Sequence, residues 1–252
     1  MDEMVRRVAG WLRDARYTLA LTGAGISTES GIPDFRGPNG VWTRDPAAER
    51  RADISHYLTD PEMRRQAWRG RLDHPGRTAK PNAGHRALAE LDRRDRLQLL
   101  VTQNIDGLHL DAGSAPERTI EIHGTIRRYA CLDCGGGGPM ADVLIRVRAG
   151  DEDPPCLDCG GILKSATISF GQSLPPDALS RAEAAADGSD LFLAIGTSLT
   201  VLPVALLPRR ALRAGARLVI VNAEPTPLDD RAHAVLRGRI GEVLPELVAA
   251  LD

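Results

Sequence analysis

The chain has 252 residues, 42% of them hydrophobic and 26% charged, which is ordinary globular usage and enough length for a substantial core. Its 32 basic and 34 acidic side chains leave a formal net charge of -2, so no cationic excess is available to neutralise a phosphate backbone, and nucleic acid is not an expected partner. No apolar run is long enough to span a bilayer, and residues 1–13 are too charged for a signal peptide. A soluble, cytoplasmic, monomeric protein without a membrane partner is expected.

Met4, Val5, Val8, Trp11 and Leu12 recur at helical spacing and predict an opening amphipathic helix. The apolar run Tyr17 to Leu21 then predicts a buried strand that leads into Gly23-Ala24-Gly25-Ile26-Ser27-Thr28. Glycines there allow a pyrophosphate close to the backbone, with unpaired amides at the start of the next helix. Thr28 stands where a full dinucleotide fingerprint has its third glycine, so a plain tight turn explains this motif equally well. The continuation Ser30 to Gly37 adds a rigid proline, Asp34, Phe35 and Arg36, as a loop that closes over a ligand would.

Residues 38–80 are polar, arginine-rich and helix-prone, and interrupt the pattern. Regular alternation resumes with a helix at Ala83 to Leu91 behind the cap Asn82, then a strand at Leu97 to Val101. The polar segment Thr102 to His109 follows that strand, where parallel-sheet proteins bind ligands, although an Asx-type turn is the simpler reading. A third strand, Thr119 to Ile122, ends at His123, and a lone strand-end histidine is more often structural than catalytic.

Residues 125–164 hold all four cysteines. Cys131-x-x-Cys134 and Cys156-x-x-Cys159 enclose 21 residues, close to zinc-ribbon spacing, with redox pairs or disulfides as the alternatives. Further strands are predicted at Asp190 to Ile195 and Arg217 to Val221, with a helix at Leu202 to Ala214 between them. The expected fold is α/β, a Rossmann-like parallel sheet with an inserted small lobe made of a zinc ribbon and a helical module. The large lobe comprises residues 1–37, 81–124 and 165–252, the helical insertion 38–80 and the zinc-binding insertion 125–164, with a ligand cleft between lobes.

Gly23 to Arg36 closely resembles the cofactor loop of the sirtuins. Similar segments follow in the family's order: Thr102 to His109, His123-Gly124, the two cysteine pairs, Phe170-Gly171, Gly196-Thr197-Ser198 and Asn222-Ala223-Glu224. The resemblance covers nearly the whole chain and implies a single bacterial-type sirtuin catalytic domain, an NAD-dependent protein lysine deacylase. Its co-substrate would be NAD, its structural metal Zn2+ on Cys131, Cys134, Cys156 and Cys159, and its partners acylated-lysine proteins.

By the same resemblance Gly23, Ala24, Gly25, Thr28, Asp34, Phe35 and Arg36 would hold the cofactor, with Asn104, Ile105 and Asp106 forming a nicotinamide pocket and Gln103 facing the ribose. Gly196, Thr197 and Ser198 would reach phosphate or ribose, Asn222 and Glu224 the adenosine ribose, and the backbone near Gly238 and Ile240 the adenine. The acyl oxygen would attack the ribose C1' carbon as nicotinamide leaves, with Asn104 and Phe35 at the reacting centre and Phe35 screening it from water. His123 would take a proton from the ribose hydroxyls, giving free lysine and O-acyl-ADP-ribose. His109 is assigned a structural role. A protein ADP-ribosyltransferase and a non-enzymatic NAD or ADP-ribose binding module are the alternative functions.

Two departures bear on the substrate side. The family's arginine and proline after the second cysteine pair are Lys164-Ser165 here, and Phe-Gly-Glu is Phe170-Gly171-Gln172. Phe170-Gly171 and Val201-Leu202-Pro203 are expected to pair with an extended peptide. The Tyr-x-x-Arg pair of sirtuins that remove acidic acyl groups aligns with Trp68 and Arg71, so a neutral acyl group is expected.

Overall fold

The computed structural model describes residues 3–252, so the first two residues of the predicted large lobe lie outside it. Nine strands appear in chain order: β1 Thr18–Thr22, β2 Leu99–Thr102, β3 Thr119–Glu121, β4 Gly124–Cys131, β5 Gly137–Pro139, β6 Leu163–Thr167, β7 Leu191–Ile195, β8 Arg217–Val221 and β9 Ala234–Leu236. Six of them form one parallel sheet in the order β3-β2-β1-β7-β8-β9. The other three form an antiparallel sheet, β5-β4-β6.

The large sheet is apolar on both faces, which is why its central strands read as unbroken apolar runs. Ala20, Leu100, Leu193 and Val219 face the helices Glu3–Asp14, Ala83–Arg93 and Ile240–Ala249. Leu19, Leu21, Val101, Phe192 and Ile220 face Pro176–Gly188 and Leu207–Arg213. Asn82 caps its helix as predicted, accepting from the amides of Gly84 and His85.

The expected helix from Leu202 is shorter than predicted. A 3-10 turn covers Val204–Leu206 and the α-helix runs Leu207–Arg213, because Pro208 has no N–H to donate and fits only a first turn. Residues 38–80 form four short helices, two of them capped by Asp53 and Asp60. They pack on the small sheet through a third core in which Trp68 is fully buried beside Cys131, Met140, Leu144, Cys156 and Leu163. Among the described residues no helix is long and apolar enough to cross a membrane.

Candidate functional site

A cleft of about 1450 Å³ opens at the carboxyl ends of β1, β2, β7 and β8, bordered on its far side by the helical module and by the chain leaving β6. Open parallel sheets bind ligands at this edge, and the volume exceeds the roughly 300–1,000 Å³ of a site for one small molecule.

The β1 and β7 loops meet with no room for side chains. A Cβ on Gly23 would lie 2.7 Å from the Gly196 oxygen, and one on Gly196 only 2.5 Å from the Ile26 nitrogen, at a φ of +59°. The amide of Gly25 donates to the Gly196 carbonyl at 2.9 Å, so these glycines bind two strand ends together as well as keeping the cleft floor bare. Ala24 and Thr197 border the same floor, and Thr197 accepts from Gln103 Nε2 at 2.9 Å.

His123 Nδ1 lies 3.0 Å from the Gln103 carbonyl oxygen. A carbonyl can only accept, so Nδ1 carries the hydrogen and Nε2 keeps a free lone pair. Burial lowers the imidazole pKa against the opposing pull of that carbonyl, so the ring is a neutral base at pH 7. His123 borders the cleft, whereas His109 does not.

In the same cleft, Asn104 is 8% and Asp106 5% exposed. Asn104 Nδ2 donates to Ser27 Oγ at 3.0 Å and to the Gly23 carbonyl, while Ser27 Oγ donates to Asp106 Oδ2 at 2.8 Å. The other Asp106 oxygen accepts from the Leu108 amide. Behind Ser27, His85 Nε2 sits 3.4 Å from the hydroxyl, while its Nδ1 accepts from the Asn82 amide. Burial lowers the His85 pKa to about 4, outweighing the nearby Asp106 charge. His109 meets Thr22 Oγ1 at 2.9 Å and is held neutral by complete burial, then by His85. Arg127, from β4, grips the same turn from outside, bonding the Asp106 carbonyl and Asp111.

The loop after β1 is braced from within. Asp34 Oδ1 accepts from the Gly37 amide, Arg36 pairs with Glu49 at 3.0 Å, and the Arg36 guanidinium lies over the Trp42 ring. Phe35, 43% exposed, has its ring 4.7 Å from Trp42, which in turn lies 5.7 Å from Phe170. Trp42 therefore joins the predicted cofactor loop to the predicted peptide side.

Most residues singled out in the sequence border this one cleft: Gly23, Ala24, Gly25, Asp34, Phe35, Arg36, Gln103, Asn104, Ile105, Asp106, His123, Gly196, Thr197, Ser198, Asn222 and Glu224. Two do not. Thr28 spends its hydroxyl on the Gly25 carbonyl, and Ile240 is buried at the start of its helix against Gly84 and Gly196. Trp68 and Arg71 also lie off the cleft, with Arg71 stacked on Trp68 and within hydrogen-bond reach of the Tyr57 hydroxyl. Ser27, Trp42 and His74 line the cleft without having been singled out.

The four cysteine sulfurs lie within 4.8 Å of one another, with Cys131 and Cys159 3.5 Å apart and Cys134 and Cys156 3.8 Å apart. Four thiolates at about 2.3 Å from a tetrahedral zinc would be spaced by roughly 3.8 Å, so the cluster suits zinc and is far too open for disulfides. Amides of Cys134 and Asp133 point at the Cys131 sulfur, an arrangement that favours its thiolate. With four protein ligands such a metal is structural.

A family model described as the Sir2 family matches residues 23–203. The chain belongs to the Sir2 family. Among similar relatives of this Sir2-family chain is NAD-dependent protein deacetylase 2 of Streptomyces coelicolor, 53% identical over 92% of the chain and 96% of the relative. NAD-dependent protein deacetylase 1 of Bradyrhizobium diazoefficiens is 44% identical over 97% and 95%. Two solved Sir2 structures described with p53 peptide superpose closely. One, with NAD+, has a TM-score of 0.88 at 35% identity over 99% and 98% of the two chains. The other holds deacetylated peptide and 3'-O-acetyl ADP ribose, with a TM-score of 0.89 at 36% identity over 97% of each.

Proposed function

We propose that the protein is an NAD-dependent protein lysine deacylase that converts an acylated lysine, NAD and one water to free lysine, nicotinamide and O-acyl-ADP-ribose. The observation that carries this reading is the polar lining of the cleft, which joins a histidine fixed as a neutral Nε2 base on the Gln103 carbonyl to an amide–hydroxyl–carboxylate relay from Asn104 through Ser27 to Asp106.

Bound NAD would supply a ribosyl carbon made electrophilic as nicotinamide departs. Asp106, its carboxylate held by the Leu108 amide and its backbone carbonyl by Arg127, offers acceptor oxygens suited to a carboxamide N–H. Asn104, its NH2 spent on Ser27 and Gly23, borders the cleft with its carbonyl oxygen outside those two bonds. Phe35 and Trp42 cover the reacting region with apolar surface. His123 Nε2 takes a proton from a ribose hydroxyl, a step worth about 10^2 to 10^4 in rate, or roughly 3–5 kcal/mol.

The acyl group is neutral, acetyl or a simple homologue. Supporting this are the apolar walls Phe35, Val41, Trp42, Ile168 and Phe170, and the withdrawal of Trp68 and Arg71 into the small-lobe packing. Mass spectrometry of an acetyl-lysine peptide incubated with the enzyme and NAD tests the function. Loss of the acyl group with stoichiometric acetyl-ADP-ribose is expected. Peptide that gains ADP-ribose would mark a transferase, and unchanged peptide a binding module.

A further inference from the structure

The small sheet contains a buried ammonium without a carboxylate. Lys164, one of two lysines in the chain, is 3% exposed in β6. Its Nζ donates to the Ser165 carbonyl at 3.2 Å, to the Thr167 carbonyl and to the Thr167 hydroxyl at 3.3 Å, and that hydroxyl meets Ser165 Oγ at 3.0 Å. No ion pair to Lys164 occurs among the described residues, and the charge acting on it is another cation, Arg71, from the helix Pro61–Leu72. Tyr57, which donates to the neighbouring Leu163 carbonyl, is kept neutral by burial. Unpaired buried lysines are rare, so three well-placed acceptors call for an explanation.

They hold the stretch where the pairing of β4 with β6 is irregular. Tyr129 pairs with Ser165 but Gly124 with Thr167, so the register shifts there and β4 bulges away from its partner. The ammonium ties the Ser165 and Thr167 carbonyls together on the β6 side of that bulge. Past Thr167 the chain enters the cleft. The Ile168 amide donates to the His123 carbonyl at 2.8 Å, and Phe170 is tied on both its N–H and C=O to Ala52 and Ile54. Thr167 to Gln172 all border the cleft. Gly124 admits no side chain beside this clamp, since a Cβ would fall 2.1 Å from the Ala166 oxygen.

We propose that Lys164 is a positioning residue for the acyl-peptide, its ammonium fixing Thr167 and so the register of residues 168–172 against His123. The proposal rests on the reading of this wall as the peptide side. All three N–H donors of the ammonium are used, and a neutral amine has only two, with a lone pair turned on oxygen. Burial, then Arg71, lowers the Lys164 pKa to about 8, so the clamp weakens as pH rises through that value.

Steady-state kinetics of wild type, Lys164→Met and Lys164→Arg, near pH 7 and near pH 9 with one acetyl-peptide, test it. For Lys164→Met the peptide KM rises about tenfold while the NAD KM and zinc content stay within about twofold. Wild type shows a similar rise in peptide KM at the higher pH, and Lys164→Arg, which cannot deprotonate, does not. An unchanged peptide KM in Lys164→Met overturns the proposal. So does an equal rise in both substrates' KM, or the same alkaline rise in wild type and Lys164→Arg. Should Lys164→Met not fold, the comparison of wild type with Lys164→Arg decides alone. Wild-type turnover reports separately on the deacylase reading.

Discussion

Replacing Ser27 by alanine removes one oxygen that three groups share. Ser27 Oγ donates to Asp106 Oδ2 and receives Asn104 Nδ2 and His85 Nε2, at 1% exposure. Asn104 keeps the Gly23 carbonyl and Asp106 keeps the Leu108 amide, so the principal loss is one hydrogen bond to a buried carboxylate oxygen. Such bonds contribute about 1.5–3 kcal/mol. Within a chain of this size about 2–4 °C of Tm accompanies each kcal/mol, so a fall of roughly 5–10 °C is expected. The loosened Asp106 and Asn104 should raise the NAD KM and the nicotinamide inhibition constant together by about tenfold, equivalent to ~1.4 kcal/mol, with the peptide KM nearly unchanged. Differential scanning fluorimetry and initial-rate kinetics measure both. A Tm within about 2 °C of wild type together with unaltered NAD and nicotinamide constants would refute the claim that this hydroxyl organises the nicotinamide side.

Other consequences follow from the same geometry. His123→Ala should lower deacylation at least about a hundredfold while NAD binding by calorimetry stays near wild type, and comparable loss of binding would place the histidine in the cofactor site instead. Since burial depresses its pKa, kcat/KM should hold as pH falls and decline only below about 6.5, the ordinary value; a decline centred above 6.5 would contradict the assignment. His85 and His109 are neutral when folded and protonate near 6.5 when unfolded, so the unfolded chain binds more protons in acid. Stability is therefore full above about pH 6.5 and falls below it, by up to about 1.4 kcal/mol per pH unit for each histidine, and a denaturant midpoint constant from pH 7 to 5 would disprove this. Cys131→Ser should lose zinc by elemental analysis and unfold the small lobe, because structural sites contribute about 10–16 kcal/mol in zinc peptides; retained zinc with full activity would exclude the four-thiolate site. With acetyl-, butyryl- and succinyl-lysine versions of one peptide, kcat/KM should be lowest for succinyl, and a tenfold succinyl preference lost in Arg71→Ala would reverse the acyl assignment.

The strands of the large sheet were legible in the sequence where they are buried on both faces, as at Leu97 to Val101 and Asp190 to Ile195. β9 was not, being three residues between arginines and a glycine, with its partner β8 supplying the pattern. The same limit governs the site. Strand-end residues such as Asn104 and His123 follow from local order along the chain. Trp42 sits in a polar stretch and gains its position only when the helical module folds against Phe35 and Phe170. Ile240 opens a helix whose apolar stripe directs its side chain to the core, which leaves the expected adenine contact to its backbone. The zinc cluster was the most legible part, because ligand spacing is written directly in the chain.

Only Ile122 and His123 separate β3, the edge of the large sheet, from β4, the spine of the small one, and the left-handed Gly124 makes the turn between them. The proposed base thus sits on the link that carries the chain from one sheet to the other. Its imidazole is held by the Gln103 carbonyl at the end of β2, while its own carbonyl accepts from the Ile168 amide just past β6, so one residue keeps both sheets in register with the proton acceptor.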